Sequence, residues 1–150
     1  LPDISPAIQY SVLYMACELG HADIVEVLCE RGGREFYMAH RQGNMNMNVS
    51  CLNVACSNGY KDIVRALALR GGRELVMVSD FNEWSVTYPA CLNGHFEIVK
   101  DLCTHADWGQ DLVWSRTKYG ETLAHAAAQG GYADILRFLY DVAGKELLRA

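Results

Sequence analysis

Apolar and polar positions along this chain follow a helical period that is broken at near-regular distances by glycine. In Asp23-Ile-Val-Glu-Val-Leu28 an acid opens the segment, and Ile24 and Leu28 stand four apart on one face of a helix. The pattern returns as Asp62-Ile-Val-Arg-Ala-Leu67, Glu97-Ile-Val-Lys-Asp-Leu102 and Asp134-Ile-Leu-Arg-Phe-Leu139. An acid in the first turn suits the positive end of the helix dipole. Gly32-Gly33 and Gly71-Gly72 are expected to stop the first two of these helices.

A second block precedes each of them: Ser11-Val-Leu-Tyr-Met-Ala-Cys-Glu-Leu-Gly-His21, Ser50-Cys-Leu-Asn-Val-Ala-Cys-Ser-Asn-Gly-Tyr60, Ser85-Val-Thr-Tyr-Pro-Ala-Cys-Leu-Asn-Gly-His95 and Thr122-Leu-Ala-His-Ala-Ala-Ala-Gln-Gly-Gly-Tyr132. The shared frame is a hydroxyl residue, an Ala, a small residue, then Gly and His or Tyr. The hydroxyl reads as an N-cap and the Gly as a left-handed C-cap, which predicts an inner helix of about two turns. Pro89, about four residues after Ser85, predicts a slightly irregular third inner helix.

Spacing shows where the variation lies. The aligned Gly20, Gly59, Gly94 and Gly131 are 39, 35 and 37 residues apart, yet each stands 12 residues before the end of its second block. The connections absorb every insertion. They share a start, Gly33-Arg-Glu-Phe, Gly72-Arg-Glu-Leu, Gly109-Gln-Asp-Leu and Gly144-Lys-Glu-Leu, which predicts a short extra helical turn there.

Helix, glycine turn, antiparallel helix and long loop together resemble the ankyrin repeat family, whose signature reads Thr-Pro-Leu-His-x-Ala-Ala-x-x-Gly-His followed by x-Glu-Ile-Val-x-x-Leu-Leu. Ala16, Ala55, Ala90, Ala127, the four glycines and the Ile-Val-x-x-Leu blocks carry the match over about residues 6 to 150. The resemblance implies an all-α solenoid of four stacked helix-turn-helix repeats with long connecting loops, near 6–38, 45–77, 80–112 and 117–149, in one domain. The opening of a further unit at Gly144-Lys-Glu-Leu predicts a fragment of a longer protein. The chain departs from the signature at Thr-Pro-Leu-His, of whose His, which ties neighbouring units in the family, only His125 survives. Its loops also exceed the family's period of about 33 residues. The rival tetratricopeptide repeat lacks the Ala-Ala-x-x-Gly-His frame.

Composition narrows the function. A formal charge of −5 gives no electropositive surface for phosphate backbones, so nucleic acid is not an expected partner. No apolar run reaches the roughly 18 residues of a membrane span, and the first residues form no signal peptide. Cys17, Cys56 and Cys91 share a repeat position with Ala128, and Cys29 and Cys103 share another with Ala68 and Tyr140. Exchange with Ala is core behaviour, so these read as buried thiols of a reducing, cytoplasmic compartment. Cys51 receives no assignment. No clustered Cys pairs suggest a metal, no phosphate-binding loop suggests a nucleotide, and no cofactor is expected. Cys17/His21 and Cys91/His95 could be read as thiol and base, but Tyr60 and Tyr132 replace the His elsewhere, so packing outweighs catalysis and no enzyme is expected. His40 and His105 have no evident partner. Glu26, Glu30, Arg31, Arg65, Arg70, Lys100 and Arg137 read as a solvated outer face with weak ion pairs. Trp108 and Trp114 flank the Gly109 turn and pack beneath it.

The resemblance implies a protein-binding scaffold that grips its partner by loop tips and exposed inner-helix positions. Carried onto this sequence, those are Tyr10, Glu18 and Leu19 in the first unit, and Asn46, Met47, Val49, Ser57 and Asn58 in the second. The third supplies Phe81, Asn82, Trp84, Leu92 and Asn93, and the fourth Lys118, Tyr119, Glu121 and Gln129. Met47, Phe81, Trp84, Leu92 and Tyr119 would form an aromatic and apolar stripe in a polar rim, the make-up of binding hot spots. Phe81 and Met47 could instead fold back as local core. The expected partner is another protein, or other domains of the same chain if the array is the regulatory or oligomerisation domain of a larger enzyme or channel.

Overall fold

A computed structural model describes residues 6–38, 40–42, 48–80, 82–144 and 146. Helices α1 (Pro6–Leu19) and α2 (Ala22–Tyr37) form the first pair, and strands β1 (His40–Gln42) and β2 (Asn48–Ser50) follow. The second pair is α3 (Cys51–Asn58) with α4 (Lys61–Val76), and the third is α5 (Thr87–Leu92) with α6 (Phe96–Cys103). A short α7 (Gly109–Val113) leads to the last pair, α8 (Leu123–Gly130) and α9 (Ala133–Ala143). Inner helices α1, α3, α5 and α8 pack on one another in sequence, and outer helices α2, α4, α6 and α9 form the second layer. The fold is the expected all-α solenoid. One two-stranded antiparallel ribbon interrupts it: β1 pairs with β2 in the register His40 to Ser50, closing the longest connection before it enters α3.

The glycine turns form as their sequence predicts. Gly20, Gly59, Gly94 and Gly131 all have φ near +80°, and the N–H of the next residue reaches back to the carbonyl of the aligned alanine. These bonds, His21 to Ala16, Tyr60 to Ala55, His95 to Ala90 and Tyr132 to Ala127, are 2.9–3.0 Å and satisfy orphan carbonyls of each inner helix.

The N-terminal caps are less uniform. Ser50 accepts from the Asn53 N–H at 3.2 Å. The Thr122 N–H donates to His125 Nδ1 at 3.0 Å, so the surviving family histidine braces its own helix start. Ser11 and Ser85 do not cap. Ser11 lies inside α1, which already begins at Pro6. Helix α5 begins at Thr87 with Val86 in the cap position, and Ser85 instead shares a 2.8 Å hydroxyl contact with Thr87. The later start places Pro89 at the third residue of α5, where the missing N–H has no intrahelical acceptor to lose. The irregularity expected from Pro89 is thus a shortened helix.

Gly33 and Gly72 stop the long part of α2 and α4 as expected, and a separate short helical piece starts across the kink. Their φ of +72° and +60° with ψ near ±160° is a region almost reserved for glycine, and one further turn follows, to Tyr37 and Val76. That turn, and α7 after Gly109, are the extra helical turns that the shared loop start predicts.

Stacking accounts for burial unit by unit. Ile63, Ile98 and Ile135 are 1%, 2% and 0% exposed because the preceding pair covers them, whereas Ile24, at the same position in the first unit, is 48% exposed. Leu13, Leu52, Leu67, Leu102 and Leu139 form part of one continuous core that runs the length of the stack.

Candidate functional site

One face of the stack is built by the inner helices and the loop tips that precede them. Two of the tips are opened by Asp80 and Thr117, which bond the residues two and four positions further on in the same way. Asp80 Oδ1 accepts from the N–H groups of Asn82 and Trp84, each at 2.9 Å. Thr117 Oγ1 accepts in the same way from Tyr119 and Glu121, each at 3.2 Å. The fourth residue of each turn is left-handed, Glu83 with φ +60° and Gly120 with φ +79°. A main-chain bond of 2.8 Å from Lys118 N–H to the Asn82 carbonyl joins the two tips. The position of Trp84 is thus set by Asp80, not by a Ser85 cap.

Side chains continue the connection across this face. Trp84 lies against Tyr88 with ring centroids 4.4 Å apart, and Tyr88 Oη donates to Glu121 Oε2 at 2.9 Å. Burial, helped by the Glu121 carboxylate, raises the Tyr88 phenol to about 12. Tyr119 is 71% exposed at its tip, and Gln129 is exposed on α8. Leu92 is half-buried against the core. Met47 and Phe81, and Asn46 with them, lie outside the described residues, and so do the side chains of Tyr10 and Val49.

Several inner-helix positions serve the stack as well. Asn93 Nδ2 donates to the Ser57 carbonyl at 3.1 Å, and Asn58 Nδ2 repeats the bond one unit earlier to the Glu18 carbonyl at 3.4 Å. His95 Nε2 meets the same Ser57 carbonyl at 2.8 Å. Rings of Tyr60, His95 and Tyr132 sit on Gly20, Gly59 and Gly94 of the preceding unit, so close that a Cβ on any of these glycines would come within 2.8, 2.6 and 2.3 Å of a ring atom. The resemblance assigns the ties between units to the histidine that survives as His125, but here these rings and asparagines carry them. The signal was present in the sequence as the recurrent Gly-His or Gly-Tyr pair.

A groove of about 350 Å³ opens on this face across the first three units. Tyr14, Val54, Trp84 and Pro89 supply its apolar walls, Asn53 and Ser57 polar ones, and Glu18 and Asp80 carboxylates. A larger groove of about 550 Å³ lies between outer helices, over Ala68, Leu69 and Leu102. Trp108 borders it, with His105 stacked on its ring at 3.5 Å and its own Nε1 without a hydrogen-bond partner among the described residues. His105, which the sequence leaves without a partner, also accepts from the Asp107 N–H at 3.1 Å. Trp108 is buried as expected, whereas Trp114 is 38% exposed.

The outer face is ordered by ion pairs between units. Arg70 meets Glu26 and Arg65 meets Asp101, both at 2.6 Å, and Arg34 pairs with Glu74 as Arg73 does with Asp111.

All six cysteines are free and buried. Burial drives the Cys91 thiol well above its ordinary value, with Cys103 adding to the effect, and His95 is engaged with Ser57. The Cys91/His95 pair therefore has no accessible thiolate. Cys51, unassigned from sequence, is held against Cys17 in the first interface; that hydrogen bond and burial both raise its thiol. No group of metal-binding side chains occurs among the described residues, and no helix there is long and apolar enough to cross a membrane.

The sequence model for ankyrin repeats, three copies, matches residues 3–76 and 52–148. This chain belongs to the ankyrin-repeat family. No individual curated protein matches it. Ankyrin repeats are in general protein–protein interaction modules and in general non-catalytic.

Proposed function

We propose that this ankyrin array is a non-catalytic scaffold or adaptor of the cytoplasm that binds another protein through its inner-helix and loop-tip face. The observation that carries the reading is the Asp80 turn joined to the Thr117 turn. The hydrogen-bonded tips carry Trp84 and Tyr119, and aromatic anchors on a preorganised frame bind with little ordering cost. Asn82, Lys118, Glu121, Leu92 and Gln129 belong to the same proposed surface, and Ser57, Asn58 and Asn93 combine stacking with an exposed edge. Met47 and Phe81 belong to the same proposed surface by sequence position. Six unpaired thiols suit a reducing compartment.

The exposed edge of the first unit supports a second reading, a regulatory or oligomerisation domain of a larger enzyme or channel. Met15 and Val27 accompany Ile24 there at 60% and 55% exposure. The test is affinity capture from lysate with the wild-type chain and a Trp84→Ser/Tyr119→Ser variant whose circular dichroism shows it folded. A protein retained by the wild type alone supports the first reading; equal retention by both moves the weight to the second.

A further inference from the structure

The groove at the first three units has a charge pattern of its own. Its walls are the Tyr14 and Trp84 side chains with Val54 and Pro89, its charged groups are Glu18 and Asp80, and among the described residues neither Lys, Arg nor His borders it. Asp80 spends Oδ1 on two backbone N–H groups, which leaves Oδ2 for another donor. Asn53, only 7% exposed, also borders the groove. Ser50 Oγ takes the Asn53 N–H and gives its own proton to Asn53 Oδ1 at 2.7 Å, an arrangement that leaves Nδ2 as the donor of the amide. Asn53 Nδ2 donates to no described residue.

We propose that this groove takes an extended segment of the partner protein through one basic side chain, Lys or Arg, bounded by Trp84, Tyr14, Glu18 and Asp80, while Asn53 Nδ2 donates to a carbonyl of the segment. This rests on the proposed binding face and goes further by naming the chemistry it recognises. Charge complementarity selects the occupant. An aromatic face attracts a cation through its quadrupole, and carboxylates beside it strengthen the preference. An acidic segment would meet repulsion from Glu18 and Asp80, and a purely apolar one would leave Asn53 Nδ2 and the Asp80 oxygen desolvated without partners. The chain's charge of −5 favours the same partner at long range.

A random-peptide display library selected on the folded chain tests this, with affinities of chosen synthetic peptides followed by Trp fluorescence. The expected result is Lys or Arg enriched at one position. Replacing that residue by norleucine should weaken binding about tenfold, on the scale of a desolvated cation on an aromatic face. It should cost clearly less in the Glu18→Gln/Asp80→Asn variant, which keeps the aromatic face but lacks the two carboxylates, and in which the carbonyl oxygen of the new amide keeps the turn's acceptor. Glu18→Gln alone, on an exposed side chain, covers the case of a double variant that fails to fold. Peptides that need Trp84 but contain no enriched basic residue, or bind the carboxylate variants unchanged, overturn the cation site and leave the binding face standing. Peptides that bind Trp84→Ser/Tyr119→Ser as well as wild type, or no selected peptides at all, overturn both.

Discussion

Replacing Gly59 by alanine tests how the units are joined. Gly59 has φ +83°, and an added Cβ would stand 2.6 Å from two atoms of the His95 ring. Two costs arise. A Cβ in the left-handed region is unfavourable by about 1–2 kcal/mol. The ring must also leave its 2.8 Å contact with the Ser57 carbonyl, a loss of about 1 kcal/mol. The expected destabilisation is therefore about 2–3 kcal/mol, read as a lower urea midpoint at constant slope by circular dichroism. Gly131 has φ +80° but nothing within 4 Å of its Cβ position, so Gly131→Ala should show the backbone cost alone. A double-mutant cycle separates the two costs more directly. In a His95→Ala background, Gly59→Ala should lose the steric part and keep the backbone part, leaving a coupling of about 1 kcal/mol. A coupling within roughly 0.3 kcal/mol of zero would show that the ring on the glycine does not hold the second and third units together.

Other expectations follow from the same geometry. Leu67→Ala, at a position with 0% exposure in an interior unit, should cost about 2–5 kcal/mol in urea unfolding, and a loss well under 1 kcal/mol would contradict the assigned packing. Glu83→Gly should stabilise by about 0.5–1 kcal/mol, because Glu83 holds φ +60° where the matching turn has Gly120; no rise in the midpoint would mean the Asp80 turn is not the partner of the Thr117 turn. Burial pushes Cys29 up to about 11, against Arg70, and Cys103 up to about 12, from 9.0. Folding thus favours the neutral thiols, a stability that is full below pH 9.0 and fades as pH rises through 11 to 12. A thermal midpoint that stays flat from pH 8.5 to 11.5, beyond the decline of a Cys29→Ala/Cys103→Ala reference, would refute it, as would rapid labelling of native protein by a thiol reagent at neutral pH.

The helix pairs were legible because they depend on local rules. Ile-Val-x-x-Leu marks the buried face of each outer helix, and the aligned glycines mark left-handed turns that alanine carbonyls then close. Contacts between distant units were less legible. Nothing local in Asp80-Phe-Asn-Glu83 indicates that an aspartate five residues before Ser85 does what Thr117 does five residues before Thr122, since one is an acid and the other a hydroxyl. Both offer an oxygen to the same two N–H groups, and that common function is visible only once the turns are folded. The serine caps failed for the converse reason. Ser11 and Ser85 share the local chemistry of Ser50, but α1 extends back to Pro6 and α5 starts one residue late, with Pro89 in its first turn.

Repetition within the chain also divides labour on the inner-helix and loop-tip face. Asn58 and Asn93 recur at one repeat position, and both donate to a carbonyl of the preceding unit, so their recurrence reflects stacking. The position just before it holds Glu18, Ser57, Leu92 and Gln129, four different side chains. Among the tip residues, Trp84 corresponds to Glu121 and Asn82 to Tyr119. A residue required by the stack must satisfy the same geometry in each unit, whereas one that meets a partner answers to a different part of it each time. On the proposed reading, variation at these three repeat positions puts specificity in the side chains that differ between units, and Glu18 and Trp84, which border one groove, are among them.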